Sequence, residues 1–132
     1  MRVDFIIPSA PVPKSRPRFN TNTGRAFTDD KTRIFENIVS LAYGARYYFD
    51  DEYIRIKMKF KFEVPKSYSK KKRIEALEGK IRPTKADIDN YIKSVLDGLN
   101  KKAFKDDRYV YAVLAEKEYS EESGIEVIIE SV

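Results

Sequence analysis

The chain of 132 residues contains no cysteine and no histidine. Without cysteine it can form no disulfide, thiolate nucleophile or cysteine-ligated zinc site. Without histidine it lacks imidazole acid–base chemistry, Ser-His-Asp triads and histidine-ligated metals. The five glycines are never closer than 19 residues, which excludes glycine-rich phosphate loops, so we expect no nucleotide cofactor. Any catalysis must use Asp, Glu, Lys, Tyr, Ser or Thr, with or without a hard cation.

Long hydrophobic runs are also missing. No apolar segment approaches the roughly 20 residues of a membrane-spanning helix, and the first four residues, Met1 to Asp4, do not resemble a signal peptide. We therefore expect a cytoplasmic protein with no membrane partner. The chain has nine Tyr, eight Phe and a hydrophobic fraction of 42%, so it can bury a core. Its length predicts a single domain over residues 1–132.

The net charge of +5 is unevenly distributed. Residues 10–33 carry six basic and two acidic side chains (+4), and residues 66–85 carry eight basic and two acidic ones (+6). Residues 106–132 carry two basic and eight acidic side chains (−6). Two basic zones of this kind can neutralise phosphates of a nucleic acid, although a solvated surface explains them equally well.

Hydrophobic periodicity predicts an α+β domain with the order β-α-β-α-α-β-β, a mixed four-stranded sheet and about three helices. The predicted elements are a strand over 3–7, a helix from about 28–30 to 47, a strand over 54–64, helices over 69–78 and 87–101, and strands over 109–119 and 125–131. The stretch 8–28, with four prolines, is predicted to be a long loop. The turn at 120–124 predicts that the last two strands form an antiparallel hairpin.

The same periodicity predicts which faces are buried. The strand over 54–64 alternates strictly, which gives one apolar face on the core and one basic face in water. The expected buried positions are Ile34, Phe35, Ile38, Val39, Leu41 and Ala42 of the first helix, and Ile88, Ile92, Val95, Leu96 and Leu99 of the third.

Four aspartates and one lysine point to a site. Asp87 and Asp89 straddle the start of the third helix, and Asp106 and Asp107 precede a strand. If that strand lies beside the helix N-terminus, three carboxylates converge and need a cation to coexist. Mg²⁺ suits such oxygen ligands and supports phosphodiester cleavage without histidine. Lys93, one turn beyond Asp89, is placed to stabilise charge on a phosphate.

A structural interpretation of these residues stays open. Asp87 is a plausible N-cap, and Asp89 with Lys93 has the i, i+4 spacing of a surface salt bridge. Asp106 and Asp107 fit an ordinary turn. On this interpretation none of them binds a metal.

The segment from Lys85 to Asn100 fits the pattern D-x-D-N-x-x-K-x-x-x-D-x-L, and Asp106-Asp107 follows with Val110 three residues later. Together with residues 11–19 and 26–28, this segment resembles the RusA family. These are small endodeoxyribonucleases of bacteria and prophages that resolve Holliday junctions in DNA recombination and repair. The pattern departs from the family at Ala86, where Pro is common, Tyr91 (Leu), Gly98 (Ala) and Tyr109 (Gln).

The resemblance implies roles for particular residues. Asp87, Asp89 and Asp107 would be the metal-binding catalytic carboxylates and Lys93 the catalytic lysine, with Asn90 and Asp106 in support. It also implies Mg²⁺, for which Mn²⁺ is a possible substitute, and a homodimer that nicks two strands of a four-way junction symmetrically. The apolar first helix and the predicted terminal hairpin are both candidate dimer surfaces.

Phosphate contacts are expected from the basic zones. The candidates are Lys14, Arg16, Arg18, Lys70, Lys71, Lys72, Arg73 and Lys85. Phe19, Phe27 or Tyr68 are candidates for stacking on an unpaired base. Two other functions remain open: a non-catalytic nucleic-acid-binding module, and a metal nuclease acting on other branched or flapped DNA.

Overall fold

The structure is a computed structural model. It describes the backbone of residues 1–15, 18–27 and 29–132 and, within these ranges, the side chains other than those of 18–19 and 25–27. Thr28, at the predicted start of the first helix, lies outside the described residues.

The elements follow the predicted order, and the α+β class is confirmed. They are β1 (Arg2–Ile7), β2 (Arg18–Asn20), β3 (Arg25–Phe27), α1 (Asp30–Tyr43), β4 (Ile54–Glu63), α2 (Lys70–Leu77), α3 (Ile88–Leu99), β5 (Val110–Ser120) and β6 (Gly124–Ser131). A 3₁₀ turn, Asp107–Tyr109, precedes β5. The strands β2 and β3 form a small hairpin inside the stretch predicted as a loop. Three residues per strand are too few for an alternating pattern to be recognised.

The main sheet has the order β1-β6-β4-β5, with β4 and β5 parallel and the other neighbours antiparallel. The predicted hairpin of the last two strands is therefore wrong, because β4 lies between them. Ile56 of β4 pairs with Val113 on one side and with Ile129 on the other. The 121–123 turn does reverse the chain, but it crosses the end of β4, where the Val64 amide donates to the Ser120 carbonyl at 3.1 Å.

The core lies between the sheet and the pair α1 and α3. It contains Phe35, Val39 and Tyr43 of α1, Tyr91, Val95 and Leu99 of α3, and the inward side chains Ile54, Ile56, Met58 and Phe60 of β4. Packing of the two helices against each other decides which faces are buried. Ile34 and Leu41 are exposed (58% and 80%), contrary to expectation, and Thr32 is buried.

The buried face of α3 is also rotated from the predicted one. Ile88, in the first turn, is exposed, whereas Tyr91 and Ser94 are buried. Tyr91 packs its ring against Phe60 and Phe62 of β4. Hydrophobic periodicity gives more weight to Ile88 and Ile92 than to Tyr91 and Ser94, so it does not identify the face that the structure buries.

The predicted basic face of β4 does not remain basic in the sheet. Lys61 pairs with Glu126 of β6 at 2.6 Å, and Arg55 with Glu130 at 2.8 Å. Lys59 lies 3.8 Å from Glu116 of β5. The neighbouring strands therefore neutralise Arg55, Lys59 and Lys61, an effect that the sequence of the single strand does not reveal.

No helix within the described ranges is long and apolar enough to cross a membrane.

Candidate catalytic site

Asp87 and Asp89 stand at the N-terminus of α3 with exposed side chains. Asp87 occupies the N-cap position, but its side chain makes no capping hydrogen bond. Within the part of the chain that the structure describes, neither carboxylate has a hydrogen-bond or ion-pair partner. The prediction of Asp87 as the N-cap residue is therefore confirmed for its position, but its carboxylate does not cap the helix. Both carboxylates are available to a ligand.

The loop before α3 is fixed by two hydrogen bonds to its carbonyls. The Tyr91 hydroxyl donates to the Lys85 carbonyl at 2.9 Å, and the Lys117 ammonium group donates to the Ala86 carbonyl at 2.7 Å. Lys117 also lies over the Tyr91 ring, 5.6 Å from its centroid. Ala86 itself has φ of 57°, which is unusual for a residue with a side chain. These contacts determine where Asp87 stands.

Asp87 and Asp89 line one open groove with two cations, Arg82 and Lys117. Arg82 donates to the carbonyl of Lys117 at 3.0 Å, which ties the segment after α2 to β5. Arg82 belongs to the basic zone over 66–85 but was not among the predicted site residues. Lys117 was not predicted, because it lies on a strand 30 residues beyond Asp87 and local spacing does not connect the two.

Lys93 connects α3 to the turn that carries Asp107. Its Nζ lies 3.1 Å from Asp97 Oδ1 and 3.4 Å from Asp107 Oδ2. The hydrogen bond to Asp97, reinforced by the charges of both aspartates, raises the pKa of Lys93, so the group stays protonated. The alternative of a salt bridge between Asp89 and Lys93 is wrong. Lys93 pairs instead with Asp97, one turn C-terminal to it, and with Asp107.

Asp106 has a structural role in the same turn. Its carboxylate accepts the Arg108 amide at 3.0 Å and caps the 3₁₀ turn. This backbone hydrogen bond lowers the pKa of Asp106. The ordinary-turn interpretation therefore holds for Asp106. Asp107, 30% exposed, is the member of the pair that faces Lys93.

Asn90 supports the site through its backbone. Its amide donates to the Asp87 carbonyl at 3.1 Å, and its carbonyl accepts the Lys14 amide at 2.8 Å. The first of these bonds closes the opening turn of α3. The second joins the proline-rich segment to the helix that carries the aspartates.

A metal site needs ligating side chains from the described residues to lie close together. Among them, no group of three or more His, Cys, Asp and Glu side chains is close enough to hold one. Asp87 and Asp89 share a groove, whereas Asp107 is paired with Lys93. This arrangement fits a Mg²⁺ ion that takes one or two carboxylates and completes its shell with water and phosphate oxygens. The expected convergence of three carboxylates is wrong for the described residues, because Asp107 pairs with Lys93 instead of joining Asp87 and Asp89.

The predicted DNA contacts have different surroundings. Lys70, Lys71 and Lys72 are exposed in the first turn of α2, and Arg73 is half-buried. Lys85 is exposed beside the site. Lys14 is 23% exposed and makes ion pairs with Glu36 and Asp97, so its charge is already matched.

Some of the predicted phosphate contacts and stacking residues lie outside the part of the chain that the structure describes. Arg16 lies outside the described residues, as do the side chains of Arg18, Phe19 and Phe27. The ring of Tyr68 packs against Tyr119, with centroids 6.0 Å apart, and Lys72 Nζ lies 4.2 Å from its centroid. Its role in stacking on a base stays a prediction.

Similarity to known proteins extends over nearly the whole chain. A sequence model of the family described as endodeoxyribonuclease RusA matches residues 8–130. The uncharacterized protein YqaN of Bacillus subtilis (strain 168) is 36% identical over 139 aligned residues, which cover 98% of this chain and 96% of the relative. The matched range includes Asp87, Asp89, Lys93 and Asp107. The chain belongs to the RusA family of endodeoxyribonucleases, as the sequence pattern predicted.

Proposed function

We propose that this protein is a Mg²⁺-dependent, structure-selective endodeoxyribonuclease that resolves Holliday junctions by paired symmetrical nicks, in DNA recombination and repair. One observation carries the proposal. Asp87 and Asp89 lie unpaired, within the described residues, at the N-terminus of α3, one helical turn from a lysine held against Asp107. Two carboxylates that would bind a cation, those of Asp87 and Asp89, thus lie near Lys93, which would neutralise a phosphate. A cytoplasmic location stays a prediction.

The chemistry follows from the charges of these residues. Asp87 and Asp89 would hold Mg²⁺ (Mn²⁺ as a possible substitute), which when bound activates water and neutralises phosphate charge. The N-terminus of α3 adds a positive dipole end that favours an anion. Lys93, protonated beside Asp97 and Asp107, stabilises the negative charge that develops on the phosphate or on the leaving oxygen.

The DNA backbone would follow the basic surface beside the site. β5 contacts both α2 and α3 and contributes Lys117 to the groove. The lysines of α2 and the aspartates at the start of α3 therefore both lie beside this strand. Lys70, Lys71 and Lys72 would contact phosphates, which positions the DNA without reading its sequence. Contacts of this kind suit an enzyme that recognises branching.

We place the homodimer interface on the sheet face opposite α1 and α3. Its charged outward side chains nearly balance: five are basic (Arg2, Arg55, Lys57, Lys59, Lys61) and six are acidic (Asp4, Glu63, Glu116, Glu118, Glu126, Glu130). Ile6 and Leu114 on this face are each 64% exposed. A face with almost no net charge and with exposed apolar side chains, on a protein of charge +5, fits a second copy better than DNA. The two-fold symmetry of such a dimer matches the two nicks.

Cleavage of a four-way junction tests the proposal. Each strand is labelled in turn, and Mg²⁺ or EDTA is added. The wild-type protein should nick two opposite strands symmetrically with Mg²⁺ and none with EDTA. Asp87→Asn and Asp107→Asn should bind the junction and leave it intact, whereas Glu122→Gln, an equal charge change in the exposed 121–123 turn, should cut normally. Cleavage by Asp87→Asn at the wild-type rate would refute the site assignment.

The same assay distinguishes the other functions. A non-catalytic binding module would shift the junction in a gel but leave every strand intact with Mg²⁺. A nuclease for other branched DNA would cut flaps or forks faster than the junction, and its nicks would not be paired. Either result would replace the proposed activity.

A further inference from the structure

Asp97 holds a different lysine on each of its carboxylate oxygens. Oδ1 lies 3.1 Å from Lys93 Nζ, and Oδ2 lies 3.1 Å from Lys14 Nζ. The side chain is only 17% exposed, so water competes weakly for either contact. Asp97 is the last aspartate of the D-x-D-N-x-x-K-x-x-x-D-x-L segment, and its position in the sequence alone assigns it no role.

Lys14 is fixed independently of Asp97. Its ammonium group lies 2.7 Å from Glu36 of α1, and its amide donates to the Asn90 carbonyl at 2.8 Å. The Ser94 hydroxyl donates to the carbonyl of Val12 at 2.6 Å, which holds the same segment on α3. Burial alone would lower the pKa of Lys14, but its hydrogen bonds to Glu36 and Asp97 raise it. The segment thus supplies a permanent cation between α1 and α3.

The direction of the Lys93 contact is opposite to the one that an isolated helix favours. In an i, i+4 pair the acid is preferred N-terminal to the lysine, which here would be Asp89. Lys93 pairs instead with Asp97, one turn C-terminal to it. Lys93 pairs with Asp97 because Lys14 orients the Asp97 carboxylate. Asp89 has no partner among the described residues.

We propose that Asp97 is a positioning residue that holds Lys93 beside Asp107 and away from Asp89, and that Lys14 and Glu36 hold Asp97 in turn. The inference rests on the proposed function, since it matters for cleavage only if Lys93 contacts the phosphate. Lys93 is 53% exposed, so without Asp97 its long side chain would sample many rotamers. It would then also reach Asp89 and neutralise a proposed metal ligand.

The first test compares Asp97→Asn with wild type and with Glu122→Gln. Asparagine keeps the shape of the side chain but removes the charge that holds Lys93. We expect the single-turnover cleavage rate at saturating protein to fall on the order of 10- to 100-fold, because small misplacements at a reacting centre cost this much. The junction Kd should change less than about 2-fold. An unchanged rate, or a Kd that weakens in parallel with the rate, overturns the proposal.

The second test does not depend on activity. In protein labelled with ¹⁵N at lysine Nζ, the ammonium group of Lys93 should give an ordered, slowly exchanging NMR signal that Asp97→Asn abolishes and Glu122→Gln preserves. Lys14→Met should weaken this signal without removing it, and this variant keeps the proposal testable if Asp97→Asn does not fold. An equally ordered Lys93 in these variants overturns the role of Asp97. A wild-type protein that cuts no junction refutes the proposed function alone, since the Lys93 signal still reports on Asp97.

Discussion

Gly98 of α3 lies directly against Val39 of α1. A Cβ atom on Gly98 would come within 2.6 Å of the Val39 Cβ and 3.0 Å of the Glu36 carbonyl oxygen. Gly98→Ala should therefore push the helices apart and lower the free energy of unfolding by about 1–3 kcal/mol. This loss opposes the gain of about 1 kcal/mol that alanine offers within a helix. Urea denaturation measures the difference.

A matched control for Gly98→Ala is Leu41→Ala on α1, whose side chain is 80% exposed. Its effect should stay within about 0.5 kcal/mol. A Gly98→Ala protein as stable as wild type would contradict the close approach.

Ala86 has a positive φ of 57°, a conformation closed to proline, whose φ is fixed near −65°. Ala86→Pro should therefore displace the loop, break the Lys117 contact to its carbonyl and reduce cleavage at least about 10-fold. Ala86→Gly should keep both cleavage and stability, since glycine adopts positive φ readily. Rates and melting temperatures of the two variants check this. Full activity of Ala86→Pro would show that the loop follows another path.

Tyr91 holds the site loop through its hydroxyl, which donates to the Lys85 carbonyl while the ring is buried. Burial also raises the pKa of Tyr91, so the hydroxyl remains a donor at alkaline pH. Tyr91→Phe should cost about 1 kcal/mol of stability and slow cleavage with little change in junction binding. Tyr53→Phe, at a ring that is 65% exposed, is the control and should change neither. Equal behaviour of the two variants would argue against this contact.

The proposed dimer face predicts an oligomeric change. Leu114→Lys places a charge at the centre of that face and should convert the dimer to a monomer in sedimentation experiments. Leu41→Lys, on the exposed side of α1, should leave the dimer intact. The opposite pair of results would move the interface to α1, the other candidate surface.

The order of the elements followed from the sequence because long periodic segments carry strong signals. The alternation of Ile54–Glu63 and the helical spacing of α1 and α3 were sufficient for the α+β class. The pairing of strands did not follow. A turn such as 121–123 reports that the chain reverses, but it does not report whether another strand enters between its arms.

The site was predictable only in part. The acidic pattern identified Asp87 and Asp89, which are exposed and lie in one groove. The partner of Lys93 was not predictable, since Asp89 and Asp97 are both four residues away along the helix. The choice depends on Lys14, which lies far earlier in the chain. Long-range contacts of this kind have no local signature.

The position of β4 between β5 and β6 determines when the main sheet can form during synthesis. Every ladder of the main sheet requires β5 or β6, because β1 pairs with β6 and β4 pairs with both. Until residues 110–131 leave the ribosome, the apolar strands already made have no neighbours. The strands of the main sheet must therefore remain unpaired, and open to chaperones, until β5 and β6 have been synthesised.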